Sequence, residues 1–149
     1  MISNGKRSRT VTAAIICVVA AVAGWIIFSF FRRSMMLGYV DSAIGTLRTL
    51  VDEESRFSEA HPGVGYTCAI SDLGSNEILR KLARSEKRNG YVFELSCPAR
   101  DKVGPQRAFQ VTARPLRKDM PAYCSDQSGV LRYDVSGSPA KCLQSGVPL

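Results

Sequence analysis

At 149 residues the chain holds one modest domain plus a short appendage. Its 20 Lys and Arg against 13 Asp and Glu give a net charge of +7, spread along the chain without an interleaved aromatic ladder; this describes a solvated basic surface rather than a nucleic-acid footprint. One histidine and five cysteines with no CxxC exclude the zinc spacings and the thioredoxin-type motif.

Residues 1–9 are a short basic tail carrying Lys6, Arg7 and Arg9. Residues 10–31 then run for 22 positions without a charge. A helix of that length covers about 33 Å at about 1.5 Å per residue, enough to cross a hydrocarbon core of about 30 Å. The run is apolar on every face, which argues against a buried soluble helix. A basic start and Ala21-Val22-Ala23 also fit a secretory signal. Cleavage there would leave Trp25, Ile26, Ile27, Phe28, Phe30 and Phe31 at a soluble N-terminus, so the stretch is read as a single-pass transmembrane helix. Ala13, Cys17, Ala21 and Gly24 form a stripe of small residues, and Ala20 to Gly24 adds a small-xxx-small spacing; both suit helix packing in a membrane.

Orientation on charge is nearly balanced, since Arg32 and Arg33 follow the span at once, and the bias only slightly favours a cytoplasmic N-terminus. The cysteines argue more strongly. With Cys17 inside the span, Cys68, Cys97, Cys124 and Cys142 remain, an even set suited to disulfides and hence to an oxidising compartment. The domain at 32–149 is therefore expected on the periplasmic or extracellular side. From the residues alone, all three connectivities of four cysteines stay open.

Beyond the span, Val40, Ile44, Leu47 and Val51 recur at helical spacing, with Leu37, Leu50 and Phe57 near the same face. No proline interrupts before Pro62, so one helix of about fifty residues is predicted, ending at His61-Pro62-Gly63. His61, placed there, reads as a dipole partner or loop residue rather than a ligand or base. Residues 65–74 form a loop with a turn. Ser75-Asn76-Glu77 then caps a short helix over Glu77 to Lys87, stopped by Asn89-Gly90.

The rest is strand-like. Tyr91 to Cys97 and Ala108 to Leu116 alternate, and Tyr123-Cys124-Ser125 and Val130 to Tyr133 flank a turn at Asp126-Gln127-Ser128-Gly129. Three or four antiparallel strands with one polar face need a cover, which the amphipathic half of the long helix supplies. The expected class is α+β.

This order of elements resembles the type IV pilin-like and pseudopilin-like proteins. Segments that carry the likeness, over about residues 40–149, include Ser42 to Thr49, Gly65-Tyr66-Thr67-Cys68, Asp72-Leu73-Gly74, Gly90-Tyr91-Val92-Phe93, Phe109 to Ala113 and Asp126 to Arg132. The resemblance implies a C-terminal disulfide between Cys124 and Cys142, leaving Cys68 for Cys97. The anchor departs from the family: Gly5 is followed by Lys6, Thr10 stands where a glutamate is expected, and no acidic residue precedes Asp41. The likeness thus implies a pilin-like domain on an uncleaved anchor.

The function expected is non-enzymatic: a structural or accessory subunit of a type IV pilus-like envelope assembly, in contact with membrane lipid and with copies of itself or pilin-like subunits. A monomeric envelope binding or sensor module is the alternative. No G-x-S-x-G elbow, phosphate loop or His-based dyad appears. No cofactor, metal, nucleic acid or small-molecule ligand is expected.

Overall fold

The computed structural model describes residues 4–74, 77–98 and 104–149, and at residues 4–14 and 33 the backbone alone. The expected Ser75-Asn76 cap lies outside these residues. The chain forms two units, Met1–Gly38 and Tyr39–Leu149. Helix α1 (Asn4–Ala60) runs through 57 residues.

In the first unit the helix is long and apolar enough to cross a membrane, with a mean hydropathy of 2.2 over its most apolar window and none of that window buried. Trp25, Ile27 and Phe30 are each about two-thirds exposed or more. The Ser29 hydroxyl donates to the Trp25 carbonyl at 2.8 Å, which satisfies a polar group without help from outside the helix.

In the second unit, α1 from Tyr39 onward packs on an antiparallel sheet. A 3₁₀ turn (Ile70–Leu73) and α2 (Glu77–Ser85) follow, then β1 (Lys87–Arg88), β2 (Tyr91–Ser96), β3 (Gln110–Pro115), β4 (Ala122–Asp126), β5 (Arg132–Asp134), α3 (Pro139–Ser145) and β6 (Val147–Pro148). The sheet has six strands in sequential order, every neighbour antiparallel. The class is α+β as expected, but the count of three or four strands is corrected to six. The additions are β1 and β6, two-residue edge strands too short to show any alternation.

α2 ends at Ser85, earlier than its sequence suggests. Glu86 then takes a positive φ of 53°, and Asn89 and Gly90 follow at 43° and 78°. Two successive positive φ values make Asn89-Gly90 the two-residue turn that joins β1 to β2 rather than a helix stop. The turn at Asp126 to Gly129 closes through the Gly129 N–H donating to the Asp126 carbonyl at 2.9 Å. α3 has no counterpart among the predicted elements, although Ser138 caps it and Pro139 opens its first turn.

The buried stripe of α1 is Ala43, Thr46, Leu47, Leu50 and Glu54. Val40, Ile44, Val51 and Phe57 are half-buried and Leu37 is exposed, so the inner face is turned away from the most apolar arc. Small Ala43 and Thr46 lie on the inner face of the helix, and large aromatics fill the sheet layer: Tyr91, Phe93, Phe109 and Tyr123 are all buried. β4 is buried at Ala122 through Ser125 because both its faces are covered. Tyr123 turns one way, toward Tyr91 with ring centroids 5.9 Å apart. Cys124, next along the strand, turns the other way and bonds to Cys142 of α3.

Candidate functional site

The loop after α1 and the end of β2 border an open cleft of about 530 Å³ lined by Phe57, Tyr66, Asp72, Cys68 and Cys97 among others. Pro62 cannot continue the helix, and α1 stops at Ala60. The chain reverses through backbone bonds from the Val64 and Gly65 N–H groups to the His61 carbonyl, both 2.9 Å. It then lies against Gln106, with the Tyr66 N–H donating to the Gln106 carbonyl at 3.0 Å and the Gln106 N–H to Val64 at 2.8 Å.

Gly65 is required there. Its φ is +77°, and a Cβ at this position would stand 2.1 Å from the Gln106 carbonyl oxygen, a backbone atom that cannot swing aside. Gly65→Ala is expected to cost about 2 kcal/mol or more. The loss appears as a lower urea midpoint with an unchanged m-value.

Beneath the loop lies Glu54, a fully buried acid on the inner face of α1. Its Oε2 accepts the Thr67 N–H at 3.0 Å, whereas Oε1 is buried and has no hydrogen-bond partner among the described residues. The Thr67 hydroxyl donates to Asp72 Oδ2 at 2.8 Å, which brings a second carboxylate close. Burial pushes the Glu54 carboxyl up to about 7; the Thr67 N–H opposes that rise and the Asp72 charge adds to it. Glu54 is therefore largely protonated under mildly acidic conditions. It pins the loop to α1 through one backbone amide.

Two disulfides brace the domain, Cys68–Cys97 and Cys124–Cys142. The first ties the loop to the end of β2. The second ties α3 to β4. Their surroundings differ sharply: Cys124 and Cys142 are 0% exposed, while Cys68 is exposed and Cys97 half-buried. Cys17 is the free cysteine among the described residues and is exposed on α1.

Of the small-residue stripe, Cys17, Ala20, Ala21 and Gly24 fall on one side of α1 by spacing and are all exposed; at Ala13 the backbone alone is described. A Cβ added at Gly24 would meet nothing within 4 Å. His61 stacks on Phe57 with centroids 4.4 Å apart, and its Nδ1 lies 3.0 Å from the Phe57 carbonyl, so the ring closes the helix end. Among the described residues no cluster of His, Cys, Asp or Glu is arranged to hold a metal ion.

Sequence reasoning missed Glu54, because one acid on a helix rich in charged residues carries no mark of burial. The signal lay in its position: Glu54 stands four residues after Leu50 and seven after Leu47, on the face those leucines bury.

No protein-family model matches the chain, and no curated protein or solved structure is similar to it.

Proposed function

We propose that the chain is a non-enzymatic, membrane-anchored pilin-like protein, a structural or accessory subunit of an envelope assembly whose disulfide-braced domain lies outside the cytoplasm. One observation carries this reading. A single helix is exposed throughout residues 15–32, a strongly apolar stretch, and then buries a stripe against an antiparallel sheet in its second part. The exposed part has the length and polarity of a lipid-embedded anchor. Two disulfides agree with an oxidising compartment. Val135, Val147 and Leu149, more than half exposed around the last strands, offer apolar surface to a neighbouring subunit.

The test is to tag the C-terminus, fractionate cells, and follow the protein through alkaline extraction and shearing of surface material. Retention in alkali-washed membranes with residues 1–31 still attached supports the anchor, and recovery in sheared fibres supports assembly. A freely dissolved protein lacking its first thirty or so residues overturns the reading. Association has its own readout, since Cys17 is free and lies on the small-residue stripe. Mild oxidation of membranes is expected to trap a Cys17-linked dimer, and a strictly monomeric product argues for a solitary module instead.

A further inference from the structure

The two disulfides differ in what can reach them. Cys124 and Cys142 are fully buried, and α3 lies over the β4 strand to which it is tied. No thiol can approach that bond without first displacing the helix. Cys68 is exposed, and with Cys97 it lines the 530 Å³ cleft. A second, smaller cleft of about 270 Å³ touches Cys68 from the side of Phe93 and Leu95. Thiol–disulfide exchange needs the attacking sulfur in line with the bond, so access decides which bridge reacts.

We propose that the Cys68–Cys97 disulfide is a thiol-exchange site, opened through its cleft by an external dithiol while Cys124–Cys142 stays closed. A thiolate of the dithiol attacks Sγ of Cys68. The Cys68–Cys97 bond breaks, its electron pair passes to Sγ of Cys97, and that sulfur takes a proton from solvent. The second thiol of the dithiol then attacks the mixed disulfide and releases Cys68. The domain gains two electrons and two protons, and the dithiol becomes a disulfide.

The structural consequence is local. Cys97 Sγ lies 3.6 Å from the Thr67 carbonyl, and the Thr67 N–H is the group that holds Glu54, so the bridge and the buried acid clamp the same residue from two sides. Opening the bridge leaves the loop held by the Glu54 contact and by its pairing with Gln106. β4 and α3 keep their own brace.

The test uses the oxidised full-length protein in detergent micelles, treated with limiting dithiothreitol for increasing times. Free thiols are trapped with a maleimide and located by mass spectrometry. Cys68 and Cys97 are expected to be labelled at least about tenfold faster than Cys124 and Cys142, as burial of the second bridge requires. Amide exchange on the partly reduced protein is expected to quicken at Thr67 and leave Cys124 and Ser125 unchanged. Equal labelling of both bridges, or earlier labelling of Cys124 and Cys142, overturns the proposal. Single-cysteine variants give an independent readout with glutathione disulfide as the probe. Cys97→Ser is expected to form a mixed disulfide at exposed Cys68 with Cys124–Cys142 intact, and Cys68→Ser to react more slowly at half-buried Cys97; an unmodified Cys68 in the folded Cys97→Ser protein rejects the assignment.

Discussion

Raising the pH from about 5 to about 8 is expected to destabilise the domain by on the order of 3 kcal/mol, and Glu54→Gln is expected to abolish most of that slope. Glu54 has an ordinary value of 4.5 and is pushed up to about 7 by burial, with the Thr67 N–H opposing and Asp72 reinforcing the shift. Between those two values the folded protein holds a proton that the unfolded chain has released. Stability therefore falls as pH rises through this window, and the full benefit is present below the unfolded value. The displacement from 4.5 to about 7, at about 1.4 kcal/mol per unit, sets the magnitude. Glutamine keeps the carbonyl oxygen that receives the Thr67 N–H and carries no charge at any pH. The variant should match the wild type near pH 5 and exceed it near pH 8. Asp126 and Asp134 act at the other end of the scale. Partial burial works against the Asp126 charge, but Ser128 and Arg132 hold its carboxyl below the usual range; Ser136 does the same for Asp134. Their stabilisation is lost only as pH falls through those lowered values. Urea midpoints at a series of pH values, read on both proteins in the same detergent with disulfides intact, check the prediction. A flat wild-type profile between pH 5 and 8 would reject it.

The same residue shows what the sequence makes legible and what it conceals. The apolar run at residues 10–31 needs no tertiary context, because length and the absence of charge are sufficient, and it lies within α1 of the structure. β2 and β3 were visible because Tyr91, Phe93 and Leu95 alternate with Val92, Glu94 and Ser96 on a strand with one solvated face. The inner face of α1 was harder. Where large aromatics of the sheet already fill the core, small residues suffice on the helix, so Ala43 and Thr46 go inside while Ile44 and Val51 are left half-buried. Hydropathy alone ranks those pairs in the opposite order. β1 and β6 are held by pairing to a neighbouring strand rather than by pattern, and α3 is too short for a helical period to show. Glu54 was illegible for a deeper reason: its burial depends on a loop thirteen residues further along the chain that folds back to offer one amide.

Replacing both members of the buried bridge, as Cys124→Ala with Cys142→Ala, is expected to cost about 3 kcal/mol or more, enough to unfold a large part of the population of a marginal domain. The bridge spans 18 positions, for which the loss of chain entropy in the unfolded state corresponds to about 3 kcal/mol. Cys68–Cys97 spans 29, so chain entropy alone would rank that bridge slightly higher. Burial reverses the order. Cys124 and Cys142 are fully enclosed between β4 and α3, and alanine leaves part of that volume empty, whereas at Cys68 solvent fills the space. α3 has only seven residues, too few to persist as an isolated helix, so its other attachments have to hold it. Those are its packing on β3, β4 and β5 and the pairing of β6, which follows it, with β5. Loss of the bridge should therefore release α3 and β6 together and uncover the α3-facing side of β4. Equilibrium urea unfolding of the two double-alanine proteins, one for each bridge, measures the ranking. A larger loss from removing Cys68–Cys97 would mean that chain entropy, rather than packing of α3 on β4, governs what these bridges contribute.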